Sequence, residues 1–111
     1  MANSFNRKTS RSVGTTATQI GGYSVAAGTQ TTVIGLTVAN TATSAIQASV
    51  YHYDGTNITY LVKNMTIYPG QSQVVVGGEQ KVVLIPGDSV YVVSNTATSV
   101  DAILSILEIT S

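Results

Sequence analysis

The chain contains no cysteine among its 111 residues. No disulfide can staple it, and no thiolate is available as a nucleophile or a metal ligand. It has no tryptophan, two prolines and a single histidine, His52. Charge is scarce: Asp, Glu, Lys and Arg make up 9% of the residues, against about 25% in an average globular protein. No apolar run approaches the roughly 18 to 20 residues of a membrane span. The polar stretch Met1–Ser12 lacks the apolar core of a secretory signal. These absences predict one soluble, unexported domain that does not act at a membrane.

Chemistry is equally scarce. A metal site needs several His, Cys or carboxylate ligands that converge. Here His52 and Asp54 lie two apart on one expected strand face, with no second pair nearby in sequence. Nucleophilic catalysis needs a nucleophile, a base and an orienting group, and one histidine among many serines picks out no such set. The five carboxylates are scattered, without a motif for paired acid–base work. Gly21-Gly22 and Gly77-Gly78 match no phosphate-binding loop. Asn57-Ile58-Thr59 and Asn64-Met65-Thr66 have the form of glycosylation acceptors, which matter only in an exported chain. The expectation is a non-enzymatic protein with no catalytic, cofactor-binding or metal-binding residue and no cofactor.

What is present is apolar and uncharged polar. Hydrophobic residues make up 43% of the chain, and Ser, Thr, Asn and Gln fill much of the rest. Free monomers usually hold themselves apart with charge, so a poorly charged surface suits a protein whose faces are covered by partners. The few charges are segregated. Arg7, Lys8 and Arg11 are three of the five basic residues, and no acid occurs before Asp54. The first 15 residues thus carry +3, while Lys63 and Lys81 against five acids give the remainder −3. A basic arm precedes an acidic body.

Residues 1–16 show neither helical nor strand periodicity and by composition should be disordered when alone. Phe5, the only phenylalanine, is a candidate aromatic anchor on a partner surface. The candidate partner-binding residues are therefore Phe5, Arg7, Lys8 and Arg11. Nucleic acid is disfavoured as that partner. Three basic residues make a weak electrostatic footprint, and the tyrosines are spread along strands without an interleaved basic stripe.

From residue 17 to 111 the chain reads as a β-sandwich domain. Val, Ile, Thr and Tyr fit a pleated, half-buried surface. Strands are expected near 17–26, 31–39, 45–53, 58–63, 72–76, 81–85, 89–94 and 101–109, with period-two alternation in several. The last is apolar on both faces, so it lies either between two layers or against another subunit. Turn signals separate these runs. Gly21-Gly22 breaks or bulges the first strand. Asp54–Asn57 and Gly77–Gln80 are candidate hairpin loops, and Pro69-Gly70 and Pro86-Gly87-Asp88 are candidate turns. Asn40-Thr41-Ala42-Thr43-Ser44 recurs as Asn95-Thr96-Ala97-Thr98-Ser99, which suggests two equivalent strand–loop–strand hairpins with their loops at one end. The predicted fold is all-β: an antiparallel sandwich, jelly-roll or Ig-like, with an extended N-terminal arm.

Several segments carry a family resemblance. They are Thr32–Asn40, Leu61–Asn64, Tyr68-Pro69-Gly70, Lys81–Val92 and Ile103–Ile109. Over residues 31–109 the chain resembles small virion structural proteins of tailed bacteriophages, including phages of cyanobacteria. The resemblance implies a β-sandwich present in many copies on a particle assembled in the host cytoplasm, with no catalytic residues. Two positions on the particle stay open. One is a capsid decoration, or cement, subunit that self-associates as a trimer or dimer and clamps the major capsid protein. The other is a neck or tail component forming a ring or fibre base. A module that binds a host receptor or glycan ranks below both.

Overall fold

A computed structural model describes residues 2–110. Met1 and Ser111, the outermost residues of the expected arm and sandwich, lie outside the described residues. The strands are β1 (Ala2–Val13), β2 (Thr18–Gln19), β3 (Thr29–Asn40), β4 (Ile46–Tyr53), β5 (Ile58–Ile67), β6 (Ser72–Val76), β7 (Val82–Leu84), β8 (Ser89–Ser94) and β9 (Val100–Thr110). A 3-10 turn over Ile20–Gly22 follows β2.

The antiparallel pairings are nested like those of one long folded ribbon. β4 pairs with β5 at the centre, then β3 with β6 and β7, β2 with β8, and β1 with β9 outermost. Two further pairings, β3 with β9 and β4 with β8, roll the ribbon into two sheets. One sheet runs β1-β9-β3-β6 with β7 also on β3, and the other runs β2-β8-β4-β5. This is the double-sheet jelly roll, so the topology selects one of the two expected sandwich types.

The alternation seen in the sequence explains the core. Val33, Leu36 and Val38 of β3 and Ala102, Leu104 and Ile106 of β9 face Ile46, Ala48 and Val50 of β4 and Val90 and Val92 of β8. All are buried. Tyr23, Val25 and Leu84 join the same core.

Several expectations are corrected. Residues 2–13 form a full-length strand on the edge of the larger sheet, although their sequence shows no strand pattern. The reason is local: Asn3 to Arg7 are exposed whichever way they point. The backbone ladder to β9 selects the strand there, and no burial pattern is imposed. The strand expected over 17–26 is limited to Thr18 and Gln19, because Gly21 and Gly22 both turn left-handed, with φ of 61° and 63°. Conversely, β5 runs on to Ile67 past bulges and the positive φ of Asn64.

Gly77–Gln80 is not a hairpin loop. β6 and β7 do not pair with each other. Both lie along one side of β3, β6 on Leu36–Ala39 and β7 on Thr31–Val33, like two halves of one interrupted strand. The repeated Asn-Thr-Ala-Thr-Ser loops are not hairpins either, since each crosses between the sheets. They are equivalent in that crossing, and they do meet at one end of the sandwich, where Thr41 N donates to Ser99 O at 2.8 Å. Asp54–Asn57 does close the β4–β5 hairpin. The Asp54 carboxylate accepts from the backbone N–H of Asn57 and of Thr56, which holds it below the usual carboxylate range.

Candidate functional site

The feature that stands out is the outer face of the larger sheet. In a β-strand alternate side chains point to opposite sides. The residues of β9 that do not enter the core therefore face outward, and they include Ile103, Leu107 and Ile109. Register aligns these with neighbours. Phe5, Leu107, Thr32 and Val83 form one row across β1, β9, β3 and β7. Thr9, Ile103, Thr37 and Val74 form another across β1, β9, β3 and β6. Phe5 is 75% exposed, and Val74, Val83 and Ile103 are exposed as well. Among the described residues no second layer covers that face.

The four candidate arm residues sit on β1 but do not act together. Phe5 and Arg7 point outward, opposite Leu107 and Ser105. Lys8 points inward and places its Nζ 5.3 Å from the centroid of the Tyr23 ring, a cation–π contact that ties the arm to the body. Arg11 lines a shallow cleft of about 330 Å³ on the outer face, with Thr9, Thr37, Ala39, Asp101 and Ile103. The arm thus presents an aromatic ring and two guanidinium groups outward, and keeps one ammonium for itself.

Three other arrangements were not visible in the sequence. On the outer face of the smaller sheet, Tyr51 stacks on Tyr91 with centroids 5.3 Å apart, and Tyr60 and Tyr53 pack edge-on against them. Lys63 covers the Tyr60 ring, so these rings mostly shield one another. His52 Nε2 pairs not with Asp54 but with Asp88 Oδ2, at 3.0 Å. The same oxygen accepts from Ile85 N. His52 therefore pins the Pro86-Gly87-Asp88 turn to β4, a structural use of the lone histidine. Among the described residues no three His, Cys, Asp or Glu groups converge to hold a metal ion. No helix there is long and apolar enough to cross a membrane.

The third arrangement lies beneath the arm. The Tyr23 hydroxyl shares a 2.7 Å hydrogen bond with Thr31 Oγ1 and donates to Glu108 Oε2 at 2.9 Å. Burial pushes the Tyr23 pKa up; the Thr31 bond opposes this and Glu108 adds to it. A raised value means the folded state holds its proton longer than the unfolded chain does. Its contribution is complete below the unfolded tyrosine pKa of about 10 and is lost as pH rises through the folded value. Tyr23→Phe is expected to cost about 1–2 kcal/mol at pH 7. It should also lose less stability than the wild type between pH 9 and 11, read by urea unfolding at each pH. An equal alkaline loss in both proteins would remove Tyr23 as the cause.

No protein-family model and no curated protein sequence matches the chain. Solved structures do. A chain of the Bacillus endospore appendages, which form disulfide-linked pili, aligns with a TM-score of 0.58 at 15% identity, over 98% of this chain and 87% of the other. A pentameric capsid protein from metagenomic phage sequences gives 0.44 at 23% identity, over 93% of this chain and 58% of the other. A chain of infectious bursal disease virus, Gt strain, gives 0.46 at 13% identity, over 95% and 30%. This chain therefore spans little more than half of the phage capsid chain and under a third of the bursal disease virus chain. With the appendage chain it shares a fold.

Proposed function

We propose that this protein is a structural subunit of a virus particle, present in many copies, and within that class a capsid decoration subunit. It self-associates and clamps neighbouring capsid subunits through its open sheet face and its edge strand. Phe5, Arg7, Lys8 and Arg11 supply the arm contacts, with Lys8 acting by holding the arm in place. The observation that carries this is β9, which is apolar on both faces while its own chain covers one of them. Burying such a face stabilises a joint by about 25 cal/mol per Å² of apolar area, before ordering costs. The low charge supports the same reading, because covered faces need little charge to stay soluble. Lacking cysteine, the chain must make such joints without disulfides.

The test is the double variant Phe5→Ser, Val83→Ser. Both side chains are exposed, so stability should change by no more than about 0.5 kcal/mol per site. Self-association, followed by sedimentation velocity, should fall by at least tenfold. Unchanged association would overturn the role of this face. On purified particles, a copy number equal to the capsid protein or a simple fraction of it supports decoration. A count matching one or a few rings moves the assignment to neck or tail. Absence from particles overturns the virion role.

A further inference from the structure

The edge strand β1 is built in two parts. From Lys8 onward it is anchored to the body. Lys8 lies on Tyr23, Ser10 Oγ accepts from Gly21 N, and Val13 is buried. Beyond it, Val13 O and Gly14 O accept from Ser99 N and Ser94 N. Gly14 also packs tightly on the 95–99 loop, where an added Cβ would stand 3.1 Å from Thr98 N. Asn3 to Arg7, by contrast, are exposed on both faces and keep their place by the ladder to β9.

Between the strand and its buried root lies a defect. The register shifts between Ser10 and Val13, and Ser12 adopts a positive φ of 56°. That conformation costs a side chain with a Cβ free energy that glycine would not lose. A single hydrogen bond, from Ser12 N to Asp101 Oδ1 at 3.0 Å, steadies it. A short connection under strain, joining a strand to a fixed root, is the circumstance that invites exchange of that strand between copies.

We infer that residues 2–10 exchange between copies of this chain. The strand turns about Arg11–Ser12, leaves its own β9 and occupies the same register on β9 of a second copy. The occupant is a second copy because the vacated place is fitted to this strand in every respect. It offers the same ladder partners, the same Tyr23 ring for Lys8 and the same Gly21 N–H for Ser10. Exchange therefore conserves those contacts and releases the bend at Ser12. Each body of net charge −3 also keeps an arm of net charge +3. This deepens the proposed self-association and rests on it, since it names the element by which copies grip one another.

The test uses the absence of cysteine. Arg7 and Ser105 face each other across β1 and β9, so the double variant Arg7→Cys, Ser105→Cys places the chain's only two thiols within disulfide reach. The full-length protein is oxidised in its assembled state and run under denaturing, non-reducing conditions. Covalent dimers or a ladder, with little crosslinked monomer, are the expected result. Assemblies whose crosslink closes within one chain would overturn the exchange and leave self-association intact. A protein that stays monomeric, with an internal crosslink, would overturn both. Ser12→Pro gives a second readout, because proline cannot adopt the positive φ and favours an opened hinge. The exchanged fraction of the dithiol protein should then rise by about fivefold or more. No rise, or a fall, would overturn the role given to the hinge.

Discussion

Asn40→Ala is expected to lower the stability of this domain by about 2–5 kcal/mol, while the same substitution at Asn95 costs about 1 kcal/mol or less. The two residues open the two copies of one five-residue repeat, yet they carry different loads. Asn40 is 2% exposed. Its Nδ2 donates to Ser44 O and to Ile67 O, each at 2.9 Å, and its Oδ1 accepts from Ala42 N at 2.7 Å. Its own backbone N–H and C=O bond Gln71 and Gly70. One side chain thus holds its own loop to the end of β5. Removing it takes a hydrogen bond from the Ile67 carbonyl, in a buried contact, and from the part-buried Ser44 O and Ala42 N, and a buried group left short of a partner costs about 1–3 kcal/mol. Asn95 is exposed, and its Oδ1 accepts from Gln47 N and Thr96 Oγ1, which water can replace. Chemical denaturation of the two variants, compared at equal slope, checks the difference. Equal losses would mean that the buried network is not what holds this end of the sandwich. Asn40→Asp should be at least as damaging as alanine, because a carboxylate oxygen would then face the Ser44 and Ile67 carbonyls.

The repeat shows where sequence reasoning stops. Its recurrence and its meeting at one end followed from residue types alone. The unequal burial did not, because it depends on which loop lies over β5. The same limit recurs through the fold. β6 and β8 could be delimited from alternation and turn residues, and β3, β4 and β9 to within one or two residues, because half-buried strands imprint their period on the sequence. β1 leaves no imprint, since a ladder made by backbone groups places no demand on side chains exposed on both faces. Gly77–Gln80 resembles a hairpin because short apolar runs flank it, and only the shared partner β3 shows otherwise. Of the candidate arm residues, Arg7, Lys8 and Arg11 stand out in the sequence by charge and Phe5 as the one phenylalanine. Their division does not, because whether Lys8 or Arg7 faces the body is fixed by register against β9. The tyrosine cluster and the His52–Asp88 pair join residues from different strands, and no local pattern encodes them. The doubly apolar β9, by contrast, was plain in the sequence, and it is the feature on which the proposed role depends.

Gly21→Ala and Gly22→Ala should separate cleanly, although the two glycines are adjacent and both have a positive φ. Both have φ near +60°, so any residue with a Cβ costs about 1–2 kcal/mol at either position. Beyond that they differ. A Cβ at Gly22 meets nothing within 4 Å, whereas one at Gly21 would stand 2.5 Å from Lys8 Cβ, with the Lys8 Cα and Thr9 N both at 3.2 Å. Those atoms belong to the middle of β1 and cannot swing aside like the end of a flexible chain. The strand must move, and overpacking of this kind adds about 1–3 kcal/mol. Gly22→Ala is therefore expected to cost about 1–2 kcal/mol and Gly21→Ala about 2–5 kcal/mol. The location of the damage matters more than its size. Displacing Lys8 breaks its contact with Tyr23 and the Ser10–Gly21 hydrogen bond, two side-chain ties that hold residues 3–10 to the body. Amide hydrogen exchange along residues 2–10 should rise sharply in Gly21→Ala and little in Gly22→Ala, while β4 and β8 stay protected in both. A uniform rise across both sheets would show that β1 is an integral part of the sandwich. A rise confined to β1 would show that one close glycine contact sets how firmly the edge strand is held, and so how readily it can be given to a neighbour.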